Sequence, residues 1–203
     1  MITLVDYGLG NIQAFAEIYK RLNLPVTIAQ RAEQLQQASK IILPGVGAFD
    51  WAMERLEASG MREMLERLVM QHQVPVLGVC VGMQMMARSS EEGQRPGLGW
   101  IPAHVRRMDD SQLAQKTCLP HMGWNDVEPC RRDCLFKGMD AARFYFLHSY
   151  HFVADRDADV LARTDYNGAF TSATRAGHVF GTQFHPEKSH QWGIQLLKNF
   201  AEL

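Results

Sequence analysis

A cysteine stands between two glycines in Gly78-Val79-Cys80-Val81-Gly82, directly after the apolar run VPVLGV at 74–79. A short apolar run reads as a buried strand, and Gly-x-Cys-x-Gly is the spacing of a nucleophile elbow, the tight turn from strand into helix that tolerates only small neighbours. Such a turn exposes its central side chain, and the start of a helix favours the thiolate, the reactive form of cysteine. A core cysteine between strand and helix has the same local pattern, so the elbow needs a base to gain meaning. GTQFHPEKS at 181–189 offers one, with a strand delivering His185 and Glu187 two residues on. Residues two apart on an extended chain project to one side, where a carboxylate can orient and polarise an imidazole. Pro186 between them stops the strand from pairing further. A third segment, LPGVGAFD at 43–50, places glycines after a strand. Its backbone can approach a ligand closely and aim N–H groups at an oxyanion, though an ordinary turn has the same composition. Together the three describe acyl transfer through a thioester.

The elements that must hold these residues come in two textures. Up to Gly97, short apolar strands (2–6, 25–29, 40–43, 74–79) alternate with helical patterns (11–22, 49–58, 61–72, about 82–88), which predicts a mostly parallel, doubly wound sheet. Beyond it, 100–107, 124–128, 143–153, 159–166, 170–175 and 178–184 read as strands with little helix between, an antiparallel extension of the same sheet. A helix at about 190–201 closes the chain. No repeat or linker divides residues 1–203, which read as one domain.

Composition excludes several other functions. The 203 residues carry 21 Lys plus Arg against 22 Asp plus Glu, well dispersed. No basic tract could track phosphates, so nucleic acid is not an expected partner. No run approaches the roughly 18 apolar residues of a membrane span, and no signal peptide is legible. Four cysteines, Cys80, Cys118, Cys130 and Cys134, are too few for a disulfide framework in a chain this long. A reducing cytoplasm is expected. Tyr7-Gly8-Leu9-Gly10-Asn11 lacks the third glycine of a dinucleotide fingerprint, position 13 being Gln. Cys118, His121, Cys130 and Cys134 offer four possible ligands for zinc, but no metal and no cofactor is expected here.

The strings DYGLGN (6–11), PGVGAFD (44–50), GVCVGMQ (78–84), SSEEG (89–93), PHMGWN (120–125), FYFLHSY (144–150) and FHPEKS (184–189) resemble those of the class I glutamine amidotransferases over essentially the whole chain. Val81 departs from the family's usual leucine without touching the chemistry. The resemblance implies a flavodoxin-like three-layer α/β fold and a glutaminase with Cys80 as nucleophile, His185 as base and acid, and Glu187 as orienting carboxylate. It implies an oxyanion site at Val46, Gly47 and Val81, and glutamine held by Gly47, Gln84, Glu92, Ser149 and Tyr150. PHMGWN with FHPEKS most resembles the glutaminase subunits of imidazole glycerol phosphate synthase. Those pass ammonia to a (β/α)8-barrel cyclase subunit, here across Asn11, His121, Met122, Trp124, Asn125, Tyr145 and Lys188. The stretches 89–101, 143–152 and 184–200 also resemble paralogues that supply ammonia for amidino-sugar synthesis, and a catalytically silent binding subunit is the third reading.

Overall fold

A computed structural model describes residues 1–109, 118–131 and 134–203. The chain opens β1 (Ile2–Val5), α1 (Ile12–Arg21), β2 (Val26–Ala29), β3 (Lys40–Gly45), α2 (Phe49–Ala58), α3 (Arg62–Glu66), β4 (Val76–Cys80) and α4 (Val81–Met85). It continues through β5 (Ser89–Ser90), β6 (Ala103–Arg107), β7 (His121–Pro129), β8 (Ala142–His148), β9 (Tyr150–Ala154), β10 (Val160–Asp165), β11 (Ala169–Ala176) and β12 (Val179–Thr182) to α5 (His190–Ala201).

Strands with no polar face must be covered on both sides. β1, β4 and β12 are buried along their whole length, and they run parallel with β2 and β3 in the order β2-β1-β3-β4-β12. Helices α1 and α5 pack together on one face, α2 and α4 on the other. The order continues β11-β10-β7-β8 with antiparallel pairing, and β9 joins β11 and β6. This is the expected doubly wound sheet with its antiparallel extension.

Some boundaries differ from the sequence reading, each for a local reason. The expected helix 61–72 changes pitch at Arg67, where the turn widens so that the His72 N–H reaches the Arg67 carbonyl at 3.1 Å. The expected strand 143–153 is broken at Ser149 into β8 and β9, which pair with different neighbours. The expected strand 124–128 begins at His121, so PHMGWN is mostly strand. The strand before His185 stops at Thr182, and Pro186–Lys188 form a tight helical turn.

The Gly-x-Cys-x-Gly spacing has a steric cause. A Cβ on Gly78 would lie 2.7 Å from the Gly82 carbonyl oxygen and from Met86 Cε. One on Gly82 would press into the Leu43 carbonyl of β3. The two glycines let α4 sit directly on β3 and β4. Gly78→Ala should therefore cost about 1–3 kcal/mol by overpacking, lowering Tm by roughly 2–10 °C in a thermal melt. An unchanged Tm would show that this contact is not close-packed.

Candidate active site

The parallel strands deliver their carboxyl ends to one edge of the sheet, where ligand crevices form in this architecture. β3 ends at Gly45, ahead of Val46 and Gly47; β4 ends at Cys80; and β12, beside β4, leads through Gln183 to His185. Chain segments remote in sequence are thus brought to one cleft by three adjacent strands.

Cys80 holds φ +55° and ψ −112°, a sparsely populated conformation for a residue with a Cβ. The strand-to-helix turn forces it, and the thiol then points into the cleft with only 4% of the residue exposed. Its Sγ lies 3.9 Å from the Leu147 carbonyl oxygen and 3.8 Å from Gln183 Nε2. His185 Nδ1 is 2.9 Å from Glu187 Oε1, and both side chains are buried, at 3% and 2% exposure. Burial alone would lower the His185 pKa. Hydrogen bonds to Cys80 and Glu187, and the charges of both, outweigh it and raise the pKa to about 10. With Nδ1 committed to Glu187, Nε2 is the nitrogen left for the thiol.

Glu187 reaches His185 by a different route from strand alternation. The turn Pro186–Lys188 folds its carboxylate back under the imidazole. Ser189 fixes that turn, its Oγ donating to the His185 carbonyl at 2.6 Å and accepting from Tyr145 N at 3.0 Å. Glu187 Oε2 is buried and finds no partner among the described residues.

A cleft of about 350 Å³ is lined by Val46, Gly47, Cys80, Val81, Gln84, Glu92, Ser149, Tyr150, His185 and Lys188, with Pro120, Leu147 and His148. Every residue expected at the oxyanion or substrate positions borders it. Gln84 is buried, and its Nε2 donates to the Tyr150 carbonyl at 3.0 Å and to Gln183 Oε1 at 3.1 Å. Glu92 Oε2 accepts from Phe49 N at the start of α2, 2.9 Å away. Burial pulls its pKa up, that N–H opposes the shift, and Asp50 adds to it.

Residues expected on a partner face divide into two groups. Met122 and Trp124 are 65% and 41% exposed on β7, opposite Leu147 and Tyr145 of β8. Trp124 stacks on His190 at 5.2 Å and meets Tyr145 edge-on, while Lys188 Nζ lies 5.7 Å over the Tyr145 ring. This patch forms one rim of the cleft. His121 departs from expectation: the pleat of β7 turns it inward, buried against Phe146 and Tyr166. Asn125 shares its side of the strand and bonds to it. Asn11 caps α1, its Oδ1 3.4 Å from Ala14 N, and no described contact joins it to the rim. Among the described residues no three histidine, cysteine or acidic side chains converge as a metal site. Cys118 and Cys130 are exposed, and Cys134 Sγ lies 2.8 Å from Arg175.

Sequence reasoning missed Gln183, which bridges Gln84 to the Cys80 thiol. The available signal was its position two residues before His185. Tyr7 was also missed: its buried hydroxyl donates to the Pro44 carbonyl at 2.8 Å and supports the segment leading into Gly45-Val46-Gly47.

Comparison with known proteins agrees with this fold. The model of glutamine amidotransferase class-I matches residues 3–203. Imidazole glycerol phosphate synthase subunit HisH of Bdellovibrio bacteriovorus is 57% identical, and the alignment covers 100% of both chains. The protein of that name from Leptospira interrogans is 48% identical, again over 100% of each. A crystal structure described as a glutamine amidotransferase superposes with a TM-score of 0.77 at 22% identity, covering 99% of this chain and 97% of that one. The chain belongs to the class I glutamine amidotransferase family.

Proposed function

We propose that this chain is a single-domain glutaminase that hydrolyses glutamine to glutamate and ammonia through Cys80, His185 and Glu187. We place it as the ammonia-supplying subunit of an imidazole glycerol phosphate synthase in histidine biosynthesis, acting in the cytoplasm. The observation that carries the reading is the buried His185–Glu187 pair standing beside a strained, cleft-facing Cys80. The names and identities of the full-length relatives support the pathway. Among the described residues no helix is long and apolar enough to cross a membrane.

The chemistry follows from the charges. The raised pKa of His185 keeps the imidazole protonated opposite Cys80 at neutral pH, and a positive charge beside a cysteine favours its nucleophilic form. Cys80 Sγ adds to the side-chain amide carbon of glutamine, and the carbonyl electrons move to oxygen. Val81 N–H, in the first turn of α4, has no partner within the helix, and with the Val46–Gly47 backbone it would stabilise that oxyanion. His185 gives its proton to the departing nitrogen, and the C–N bond breaks to release ammonia. The neutral imidazole then takes a proton from water, which attacks the thioester and frees glutamate. Glu92 suits the α-ammonium of glutamine, and Gln84 holds the wall at Tyr150. No cofactor or metal enters these steps.

An apolar rim beside the cleft suits a partner that receives ammonia without exposing it to water. Tryptophan and tyrosine flanked by other apolar groups are types favoured at interface cores. The partner proposed is a (β/α)8-barrel cyclase. The resting chain is then a weak glutaminase, because Gly45-Val46-Gly47 must reorient before its N–H reaches the oxyanion.

Four outcomes test this reading. Cys80→Ala should abolish glutamate release by the assembled complex while leaving partner binding intact; more than a few per cent of wild-type rate would overturn the assignment. Glu187→Gln should lower kcat by roughly 10²–10⁴-fold, less than loss of the nucleophile. It should also move the alkaline limb of the rate to lower pH, since Glu187 helps raise the His185 pKa and the charged imidazole is the acid. An unshifted limb would remove Glu187 from the triad. Steady-state assays should show the lone chain about 10²–10³-fold slower than the complex with cyclase and its nucleotide, and Trp124→Ala should weaken partner affinity by roughly 30-fold or more. Equal rates would exclude gating, and activation by a different synthase would assign the chain to the amidino-sugar paralogues.

A further inference from the structure

His121 was expected to face a partner, yet it lies inside the protein, directly opposite His148 in the β7–β8 pairing. His121 Nδ1 is 3.0 Å from His148 Nε2. His148 Nδ1 is 2.9 Å from the Tyr150 carbonyl oxygen. At the other end, Asn125 Nδ2 is 3.3 Å from His121 Nε2. The hydrogen positions along this row follow from its two ends.

A carbonyl oxygen only accepts, so His148 carries its hydrogen on Nδ1. A neutral imidazole then has a bare Nε2, which must accept from His121 Nδ1–H. That leaves His121 Nε2 bare, to accept from Asn125. The amide of Asn125 is oriented independently: its Nδ2 also faces the Asp165 carbonyl at 2.8 Å, and its Oδ1 faces Asp126 N at 2.8 Å. Both ends demand the same assignment. A second proton on either ring would set two donors against each other. Burial lowers the pKa of His121 to about 4. Burial, with the neighbouring His121 charge, lowers that of His148 to about 3. Each ring is therefore neutral at working pH.

We propose that His121 and His148 are positioning residues, a pair locked with hydrogen on Nδ1 that fixes the Tyr150 carbonyl and hence the Ser149–Tyr150 wall of the glutamine cleft. The inference rests on the glutaminase reading for its functional meaning. The Tyr150 oxygen takes a second bond from Gln84 Nε2, and Gln84 continues through Gln183 to Cys80 Sγ. The Ser149 carbonyl is held by Met108 N at 2.9 Å. A trans peptide sets its N–H opposite its C=O, so tethering these carbonyls sets the direction of the N–H groups beside them. Tyr166 stacks on His121 at 3.9 Å and its hydroxyl donates to the Cys118 carbonyl, which keeps the ring from turning.

The test combines a spectrum with kinetics. Nitrogen-15 NMR of the full chain should place the hydrogen of both rings on Nδ1, the rarer tautomer of free histidine. An Nε2–H signature in His148 would overturn the proposal whether or not the chain is active. In the complex with its barrel partner, His121→Ala should raise the glutamine KM about five- to tenfold, with kcat changed less, because the wall contacts substrate and transition state alike. His121→Asn keeps a donor where Nδ1 stood and should return KM to within about twofold of wild type. Should His121→Ala fail to fold, the tautomer spectrum and the Asn variant still decide. Equal impairment of Ala and Asn variants, or a loss confined to kcat, would refute the positioning role. A wild-type complex that does not hydrolyse glutamine would instead refute the glutaminase reading, leaving the tautomer result to stand on its own.

Discussion

The contact on which the site depends is the seating of the Gly82 backbone against Leu43 and Gly78. It brings the first turn of α4 down onto two central strands, and Cys80, caught between strand and turn, has no relaxed conformation available. Strain of order 1–3 kcal/mol is held there by the packed sheet on both sides. The same seating brings Gly45, which leads into Val46–Gly47, against the N-terminus of α4 beside the thiol, so the elbow and the proposed oxyanion donors share one steric origin.

Around this point the protein sorts its histidines by partner rather than by depth. His185, His148 and His121 are all buried. His185 faces a carboxylate and a thiol and is held charged. The other two face a carbonyl, an amide and each other, and are held neutral. A cation on His148 would add repulsion beside the imidazolium of His185 as well as its own desolvation cost. The same cleft is therefore bordered by a charged imidazole, His185, and a neutral one, His148.

Much of this was legible in the chain. The alternation of apolar strands and helices to Gly97 announced the parallel core, and the glycines around Cys80 announced the elbow, because both signals are local. What escaped depended on pairing. FYFLHSYHF reads as one continuous strand, and only the two neighbours competing for it explain the break at Ser149. PHMGWN gives no sign of which way its pleat turns, so His121 was placed on the wrong side of β7 together with Met122 and Trp124. Glu187 was matched to His185 for a plausible but different reason, since a proline-started turn and not strand alternation folds it back. Gln183 passed unnoticed because an amide has no signature until a thiol lies beside it.

The pleat of β7 and β8 separates two kinds of obligation along the same few residues. On β7 the odd positions 121 and 125 look inward to the cleft wall, while 122 and 124 look out; on β8 it is 144, 146 and 148 that are buried, with 145 and 147 outside. Changes at outward positions can remodel the surface offered to another molecule without disturbing the histidine row behind it. Changes at inward positions act on that row itself, and only a substitution that keeps its donors and acceptors leaves it standing. Such an arrangement lets a lineage exchange the recipient of its product while keeping the machinery that makes it, with parity along a strand marking which residues are free to drift.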